Sequence, residues 1–185
     1  SAGNTGVLFV ISKMILKMMS EVSKPALAGL WPSKKGMSVV LDLGANIECN
    51  EKNLIDFSEM GAALFKSIFP EKKPYVSLLN IGSEEIKGTE ILKKTFNELK
   101  RLSNDSNFIF NGYIEGNQIM NGESNVIVTD GFTGNIALKT AEGTAKFLTD
   151  SLKKSLTENI FSKLSLIFSY FSLKKFKSKL DPRKY

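Results

Sequence analysis

The sequence predicts an α/β protein, a three-layer sandwich around a mostly parallel sheet, followed by a C-terminal helical hairpin. Two observations support this prediction. Short β-branched or apolar runs alternate along the chain with longer segments of helical periodicity, and the connections between them are short. Several of the runs also end in a turn that combines glycine with Asn or Asp and then leads into a helix, as strands of open α/β sheets do.

The elements are assigned in order from periodicity and from the residues that bound them. Residues 1–6 form a predicted turn whose Asn4 or Thr5 can cap a mostly buried helix over Val7–Val22. Strands are assigned where short apolar runs meet Pro, Gly or Asn, and helices where apolar residues recur at helical spacing. The later elements are strands at Ala26–Trp31 and Ser38–Leu43, helix Leu54–Phe69, strand Tyr75–Leu79, helix Thr89–Leu102, strands Asn107–Phe110 and Val126–Val128, and helix Ile136–Leu156.

The composition excludes several classes of catalytic and metal-binding site. The 185-residue chain has no histidine and one cysteine, Cys49. Ser-His-Asp and Cys-His catalysis, His-based metal sites and an internal disulfide are therefore excluded within it, and a lone cysteine fits a reducing compartment. Neither G-x-G-x-x-G nor G-x(4)-G-K-[ST] occurs, so we expect no nucleotide cofactor and no bound metal.

Charge divides the chain into a neutral body and a basic tail. Residues 151–185 contain nine Lys or Arg against two acidic residues, a net charge of +7, whereas residues 1–150 carry a net charge of −1. We therefore predict an α/β core over 1–150 and an amphipathic, basic helical extension over 151–185. The longest apolar run, Val7–Ile11, is too short to cross a bilayer, and we expect no signal peptide.

Polar glycine turns are the main candidate site. They lie at Asp42–Asn46, Asn80–Glu84 and Asp130–Asn135, and a similar turn, Gly3–Gly6, opens the chain. A parallel sheet would bring these turns to one edge, where ligands of open α/β sheets bind and where helix N-termini offer N–H groups to anions. Ordinary βα turns are the alternative, but so many amide and carboxylate groups on one edge exceed what folding requires.

Two lysines are the cations best placed to face this edge. Lys87 follows the Asn80 turn, and Lys139 is predicted to lie one turn into the helix that follows Asp130. A lysine near a helix N-terminus could contact a bound anion, although each lysine taken alone also fits an ordinary solvated side chain.

The tail segment Ile160–Lys179 predicts a contact surface. Its apolar residues fall in an arc of about 120° at helical spacing, and lysines follow at its C-terminal end. A buried core helix would explain the arc, whereas aromatic rings beside a basic cluster fit a partner subunit or an anionic membrane. Nucleic acid is not expected, because no binding motif surrounds the rings. The candidate contact residues are Phe161, Leu164, Phe168, Phe171, Lys174 and Lys175.

Six strings in the chain carry a family resemblance: SAGNTG (1–6), LDLGAN (41–46), LLNIGSEEIKG (78–88), IEGNQI (114–119), VIVTDGFTGNIALKTAEG (126–143) and LDPRKY (180–185). Taken together, they make the chain resemble the bacterial phosphate acyltransferases of fatty acid and phospholipid synthesis, the acyl-ACP:phosphate acyltransferases. The strings occur in the family's order and cover essentially the whole chain. Tyr113 and the pair Asn117-Gln118 depart from the family pattern, which leaves the role of their loop open.

The resemblance implies a fold, a reaction and partners. The fold would be Rossmann-like, similar to isocitrate and isopropylmalate dehydrogenases, and this chain would be the central part of a longer protein. The reaction would move a fatty acyl group from acyl carrier protein to inorganic phosphate, giving an acyl phosphate for a membrane glycerol-3-phosphate acyltransferase. We would then expect a cytoplasmic homodimer that associates peripherally with an anionic membrane.

The resemblance also suggests roles for the turn residues. Because phosphate is the nucleophile, the protein needs only to hold phosphate, stabilise the oxyanion and exclude water. We assign phosphate to Lys139 and Gly131–Asn135, and oxyanion or phosphopantetheine contacts to Asn46, Asn80 and Lys87, with Asp130 and Glu84 orienting these groups or moving protons. The further substrate-binding candidates are Asn4, Thr5, Gly44, Gly82, Gly131, Thr133, Gly134 and Asn135.

Other functions remain open at this point. A related α/β enzyme, such as a phosphate acetyltransferase or a decarboxylating dehydrogenase, could have the same architecture, although the missing nucleotide motif disfavours the dehydrogenase. A non-catalytic fragment that binds a membrane or a carrier protein is the other alternative.

Overall fold

The computed structural model describes residues 11, 14–15, 22–159 and 168–176. Within these residues the chain forms one five-stranded sheet, three long helices and a short 3₁₀ helix, Gly116–Asn121. The strands are β1 (Gly29–Ser33), β2 (Gly36–Leu41), β3 (Tyr75–Asn80), β4 (Ile109–Glu115) and β5 (Val126–Val128), and the helices are α1 (Glu51–Ile68), α2 (Glu90–Leu102) and α3 (Gly131–Thr157).

The predicted mostly parallel sheet is confirmed. Its strand order is β1-β2-β5-β3-β4, in which β1 pairs antiparallel with β2 and every other neighbouring pair is parallel. The last strand in sequence, β5, lies in the middle of the sheet between β2 and β3. The carboxyl ends of β2, β5, β3 and β4 therefore meet at one edge, which we call the rim.

Helices α1 and α2 begin at side-chain caps. The Asn50 side chain accepts from the backbone N–H of Asn53, and the Asn53 side chain accepts from the N–H of Asn50, which forms a reciprocal capping box for α1. Thr89 caps α2 by accepting from the N–H of Leu92. These caps explain why α1 begins at Glu51, three residues earlier than its apolar periodicity predicted.

The core lies between α1, α2 and one face of the sheet. Helix α1 contributes Leu54, Phe57 and Phe65, all nearly inaccessible to solvent, and packs on β5 and β2. Helix α1 lies close against the sheet at Gly61, where a Cβ atom would lie 2.7 Å from Val126 Cγ1 and 2.8 Å from a Leu41 methyl carbon. The absence of a side chain at Gly61 therefore sets the distance between the helix and the sheet.

Strands β1 to β4 each extend beyond a predicted limit, and β1 and β4 are the two cases with a clear structural reason. Strand β1 continues through Pro32, which pairs with Met37, and the edge position of β1 explains why a proline is tolerated there. Strand β4 runs to Glu115 instead of ending at Phe110, because its register shifts against β3 and Gly112 adopts a φ of +79°. We predicted a loop after Phe110, and that prediction was wrong, because most of those residues belong to β4.

Tyr113 belongs to the core as a result. Its ring lies 4.7 Å from that of Phe96 in α2, centroid to centroid, and it pairs with Leu78 of β3. The departure from the family pattern at this position is therefore accommodated by packing beneath α2.

The contacts between residues divide the chain into two compact units, Ser1–Asn135 and Ile136–Tyr185. The predicted boundary at residue 150 stays a prediction.

Most of the predicted helix Val7–Val22 lies outside the described residues; Ile11 and Ile15 are helical but exposed, contrary to the expected burial. Within the described ranges, no helix combines the length and hydrophobicity needed to cross a bilayer.

Gly61→Val should destabilise the protein by about 1–3 kcal/mol, because the new methyl groups would overlap β5 and β2. Gly143→Val is the matched control, since Gly143 is also helical but has no atom within 4 Å of its would-be Cβ. Chemical denaturation followed by circular dichroism would measure both variants, and equal unfolding midpoints would contradict the close packing assigned to Gly61.

Candidate functional site

Three of the four predicted polar turns lie side by side on the rim. Their strands are neighbours in the order β2-β5-β3, and the pairings Leu41 with Val128 and Val128 with Leu78 bring the strand ends level. The fourth turn, with Asn4 and Thr5, lies outside the described residues. The sequence prediction that a parallel sheet would gather the turns at one edge is confirmed for these three.

A buried carboxylate organises the first turn. Asp42 is inaccessible to solvent and follows directly after β2. Its Oδ1 accepts from the backbone N–H groups of Leu27, Gly44 and Ala45 at 2.9–3.1 Å. Its Oδ2 accepts from both the backbone N–H and the side-chain amide of Asn46 at 2.7 Å. Five donors thus stabilise the buried charge without a cation among them.

Asn46 connects this turn to the start of α3. Its side-chain amide donates to Asp42 and also to the carbonyl of Pro25, at 2.7 Å each, so both amide hydrogens are used within the protein. Its backbone carbonyl accepts from the N–H of Gly131 at 2.7 Å. In this arrangement the Asn46 side chain holds the protein's own groups, and its amide is not free to donate to an oxyanion.

The glycines of the Asp130 turn allow the two turns to touch. A Cβ atom at Gly131 would lie 2.5 Å from the Asn46 carbonyl oxygen, and one at Gly134 would overlap the Asp42 carbonyl. Gly44 has a φ of +126°, and a Cβ there would lie 3.3 Å from Asn135. These predicted binding glycines are therefore required by backbone packing between neighbouring turns.

The protein's own groups occupy much of the α3 N-terminus. The Asp130 carboxylate accepts from both the backbone N–H and the hydroxyl of Thr133 at 2.8 Å, and its carbonyl accepts from Gly134. The Gly131 N–H is donated to Asn46. A phosphate at this helix start would therefore meet a carboxylate cap, and the exposed side chains of Thr133 and Asn135 are the groups that remain accessible.

The Asn80 turn is a separate, internally braced loop. The buried Asn80 side chain accepts from the N–H of Ile81 and donates to the carbonyl of Lys87, so it holds both ends of the loop. The Lys87 ammonium forms an ion pair with Glu84 at 2.9 Å, and both side chains pack over Gly82. The hydrogen bond from Lys87 lowers the pKa of the Glu84 carboxyl, and the same contact raises the pKa of Lys87.

Lys139 lies further along its helix than predicted. Because the Asp130 cap starts α3 at Gly131, Lys139 lies eight residues into the helix, about 12 Å along its axis. Its ammonium forms an ion pair with Glu142 at 2.8 Å, and both side chains are more than half exposed. The prediction that it lies one turn into the helix was wrong.

The predicted contact residues of the tail are only partly described. Phe168, Phe171, Lys174 and Lys175 lie in a helical stretch, 168–176, and all are exposed. Phe161 and Leu164 lie outside the described residues. Exposure of both phenylalanine rings, 86% and 79%, disfavours the core-helix alternative for this stretch.

Asp42 is the rim residue that the sequence-based candidates omitted. The signal was present, because an Asp immediately after a buried strand and two residues before a glycine can accept hydrogen bonds from the backbone of the turn that follows.

Cys49 also lies near the rim, with its Sγ 3.8 Å from the Asn46 carbonyl. Burial is the main cause that raises the pKa of the Cys49 thiol, which keeps it protonated and a weak nucleophile at neutral pH.

The rim presents polar side chains beside backbone turns that hydrogen bonds fix. Among the described residues, no group of three or more Asp, Glu or Cys side chains could hold a metal ion. Exposed polar groups beside these turns include the Thr133 hydroxyl, which donates to Asp130, the Asn135 amide and the Lys87 ammonium, which is paired with Glu84. The fold is that of a Rossmann-like α/β protein with polar turns gathered at the carboxyl edge of its parallel strands.

Comparison with known proteins identifies the family. Residues 1–185 match the family described as "Fatty acid synthesis protein", and the chain belongs to that family. It is 64% identical over 185 residues to a phosphate acyltransferase of Pelagibacter ubique (strain HTCC1062), covering all of this chain and 55% of that protein. It is 43% identical over 184 residues to a phosphate acyltransferase of Brucella canis, covering 53% of that protein. The chain therefore spans about half the length of these curated relatives.

A solved structure supports the same architecture. The EutD phosphotransacetylase from Staphylococcus aureus superposes with a TM-score of 0.58 over 73% of this chain and 46% of that chain. The sequence identity is 15%, so this likeness concerns the fold alone.

Asp42→Asn should lower the free energy of unfolding by about 3 kcal/mol, because the new amide would face two donors of Asn46 and the charge-assisted hydrogen bonds would be lost. Asp105→Asn is the control, since Asp105 is exposed and the same change there should stay within about 0.5 kcal/mol. Urea unfolding would measure both variants. Equal stabilities would show that the Asp42 carboxylate does not organise the turn.

Proposed function

We propose that the complete protein containing this chain transfers a fatty acyl group from acyl carrier protein to inorganic phosphate, producing an acyl phosphate for phospholipid synthesis. The observation that carries the proposal is the family match over the whole chain, together with relatives named phosphate acyltransferase. The carrier-protein donor and the acyl phosphate product are part of the proposal.

The chemistry of the chain supports such a reaction. A phosphate oxygen attacks the thioester carbonyl carbon, the carbon–sulfur bond breaks, and the carrier's phosphopantetheine thiolate leaves and takes up a proton. The protein supplies no covalent nucleophile in this scheme. That agrees with a sequence without histidine and with a Cys49 thiol that burial keeps protonated. Catalysis then depends on holding phosphate beside the thioester and on excluding water from the reactive product.

The rim geometry refines the roles proposed for its residues. Asn46 and Asn80 use their side chains to hold turns, so we propose that they position the site. Thr133 and Asn135 are exposed on the first turns of α3, and we propose that they contact phosphate or the thioester oxygen. Lys139 and Lys87 remain the proposed cations, with Glu84 and Asp130 orienting neighbouring groups.

Lys139→Ala in the complete protein should raise the KM for phosphate or lower turnover tenfold or more, because a cation that contacts phosphate would be lost. Lys146→Ala, two turns further along the same helix and equally exposed, is the control and should keep wild-type kinetics. Formation of acyl phosphate would be measured with fatty acyl thioesters of acyl carrier protein, with fatty acyl thioesters of coenzyme A, and with acetyl thioesters as donors. An unchanged rate for Lys139→Ala would remove this residue from the site.

We also propose that the tail attaches the protein to an anionic membrane as a homodimer. Phe168 and Phe171 present exposed aromatic rings, and Lys174 and Lys175 follow within two turns. Aromatic insertion and cationic attraction together give stronger binding than either alone. Such a location at the cytoplasmic face would bring an unstable acyl phosphate close to the membrane glycerol-3-phosphate acyltransferase that consumes it.

Phe168→Glu/Phe171→Glu should release the protein from vesicles that contain anionic lipid, because two carboxylates would replace the inserting rings. Ser169→Glu/Ser172→Glu is the matched control, since it adds the same charge to the same helical stretch and keeps both rings. Vesicle co-sedimentation would measure binding, and equal release by both double variants would show that charge alone, without ring insertion, accounts for binding.

A further inference from the structure

Four large apolar side chains on the rim have no role in the site described above. They are Ile47, Ile81, Ile86 and Phe132, with exposed fractions of 71%, 81%, 82% and 59%. Single exposed apolar residues are common on protein surfaces, but several on one edge mark a binding surface.

All four lie just beyond the carboxyl ends of neighbouring strands. Ile47 follows the Asp42 turn after β2, Phe132 is the second residue of α3 after β5, and Ile81 and Ile86 lie in the loop after β3. Since β5 is the only strand between β2 and β3, the strand ends that carry these residues span about 10 Å. The sheet order therefore brings residues far apart in sequence to one stretch of the rim.

Each of these side chains is carried by a backbone segment that hydrogen bonds fix in place. Asn80 holds the ends of the loop that contains Ile81 and Ile86, and Lys87 donates its N–H to the Glu84 carbonyl within that loop. Asp42 and Asn46 hold the turn before Ile47. The Gly131 N–H, next to Phe132, is donated to the Asn46 carbonyl. The loops therefore present apolar groups to solvent in a fixed conformation.

We propose that Ile47, Ile81, Ile86 and Phe132 form the seat for the acyl chain of the thioester substrate. The proposal rests on the proposed function and names the part of the substrate that this surface binds. Phe132 adjoins Thr133 and Ile86 adjoins Lys87 in the chain, so an alkyl chain bound on this surface would bring its thioester beside groups proposed to contact phosphate. An alkyl chain needs no hydrogen bonds, and each methylene that it buries changes its affinity about fourfold.

The test measures binding, so that it does not depend on turnover. The complete protein would be titrated with non-hydrolysable S-alkyl pantetheine thioethers of short and long chain length, with wild type compared to Ile81→Ala/Ile86→Ala and to Phe132→Ala. We expect the ratio of long-chain to short-chain affinity to fall about tenfold or more in the double variant. Leu64→Ala, a partly exposed residue on α1, is the control and should keep the wild-type ratio.

Two results would overturn the proposal. The ratio of affinities could stay at the wild-type value in both rim variants. Alternatively, long and short chains could lose affinity equally. These residues would then contact the pantetheine or the carrier protein, or pack against the rest of the complete protein. Thermal unfolding and repetition with acyl carrier protein would distinguish these three roles. Chain-length-dependent binding without acyl phosphate formation would instead contradict the proposed function and leave the acyl seat supported.

Discussion

The rim depends on the buried carboxylate of Asp42. An ionised side chain removed from water is costly unless donors replace the lost hydration, and here five N–H hydrogen bonds do so. Those donors come from the turn that Asp42 itself begins, from Asn46 and from the segment before β1. One side chain therefore fixes the turn after β2. Through the Asn46 carbonyl and Gly131, it also fixes the start of α3.

This arrangement changes how an anion could bind. A helix N-terminus usually offers free N–H groups, but here Asn46 and Asp130 accept those of Gly131 and Thr133. The structure thus favours recognition by exposed side chains around a rigid backbone over a cradle of backbone amides. The same rigidity holds Ile81 and Ile86 outward on the neighbouring loop. Polar and apolar groups then lie on one edge, as a substrate with a charged reacting end and an alkyl chain would require.

Sequence reasoning located the polar turns that meet on the rim, but it did not reveal which hydrogen bonds their side chains form. The turns at Asp42, Asn80 and Asp130 could be found because glycine beside Asn or Asp after a buried strand is a local signal. The same signal does not reveal which partner each side chain chooses. Asn46 and Asn80 were assigned to substrate, whereas their hydrogen bonds hold the protein's own backbone. The position of Lys139 was misjudged because the cap at Asp130 lengthens α3 toward its N-terminus.

The sequence by itself determined the alternating α/β architecture, the absence of a histidine or disulfide site, the basic tail and the family strings. These follow from composition, from local periodicity and from residues close together in the chain. Only the tertiary structure decided that β5 enters between β2 and β3, that Pro32 lies in an edge strand, and that Gly61 and Gly134 permit close packing, Gly61 against side chains of the sheet and Gly134 against the Asp42 backbone. Each of these depends on which distant segments pair and how closely they pack. Such contacts are set by strand order and side-chain volume across the whole core, and no local pattern records them.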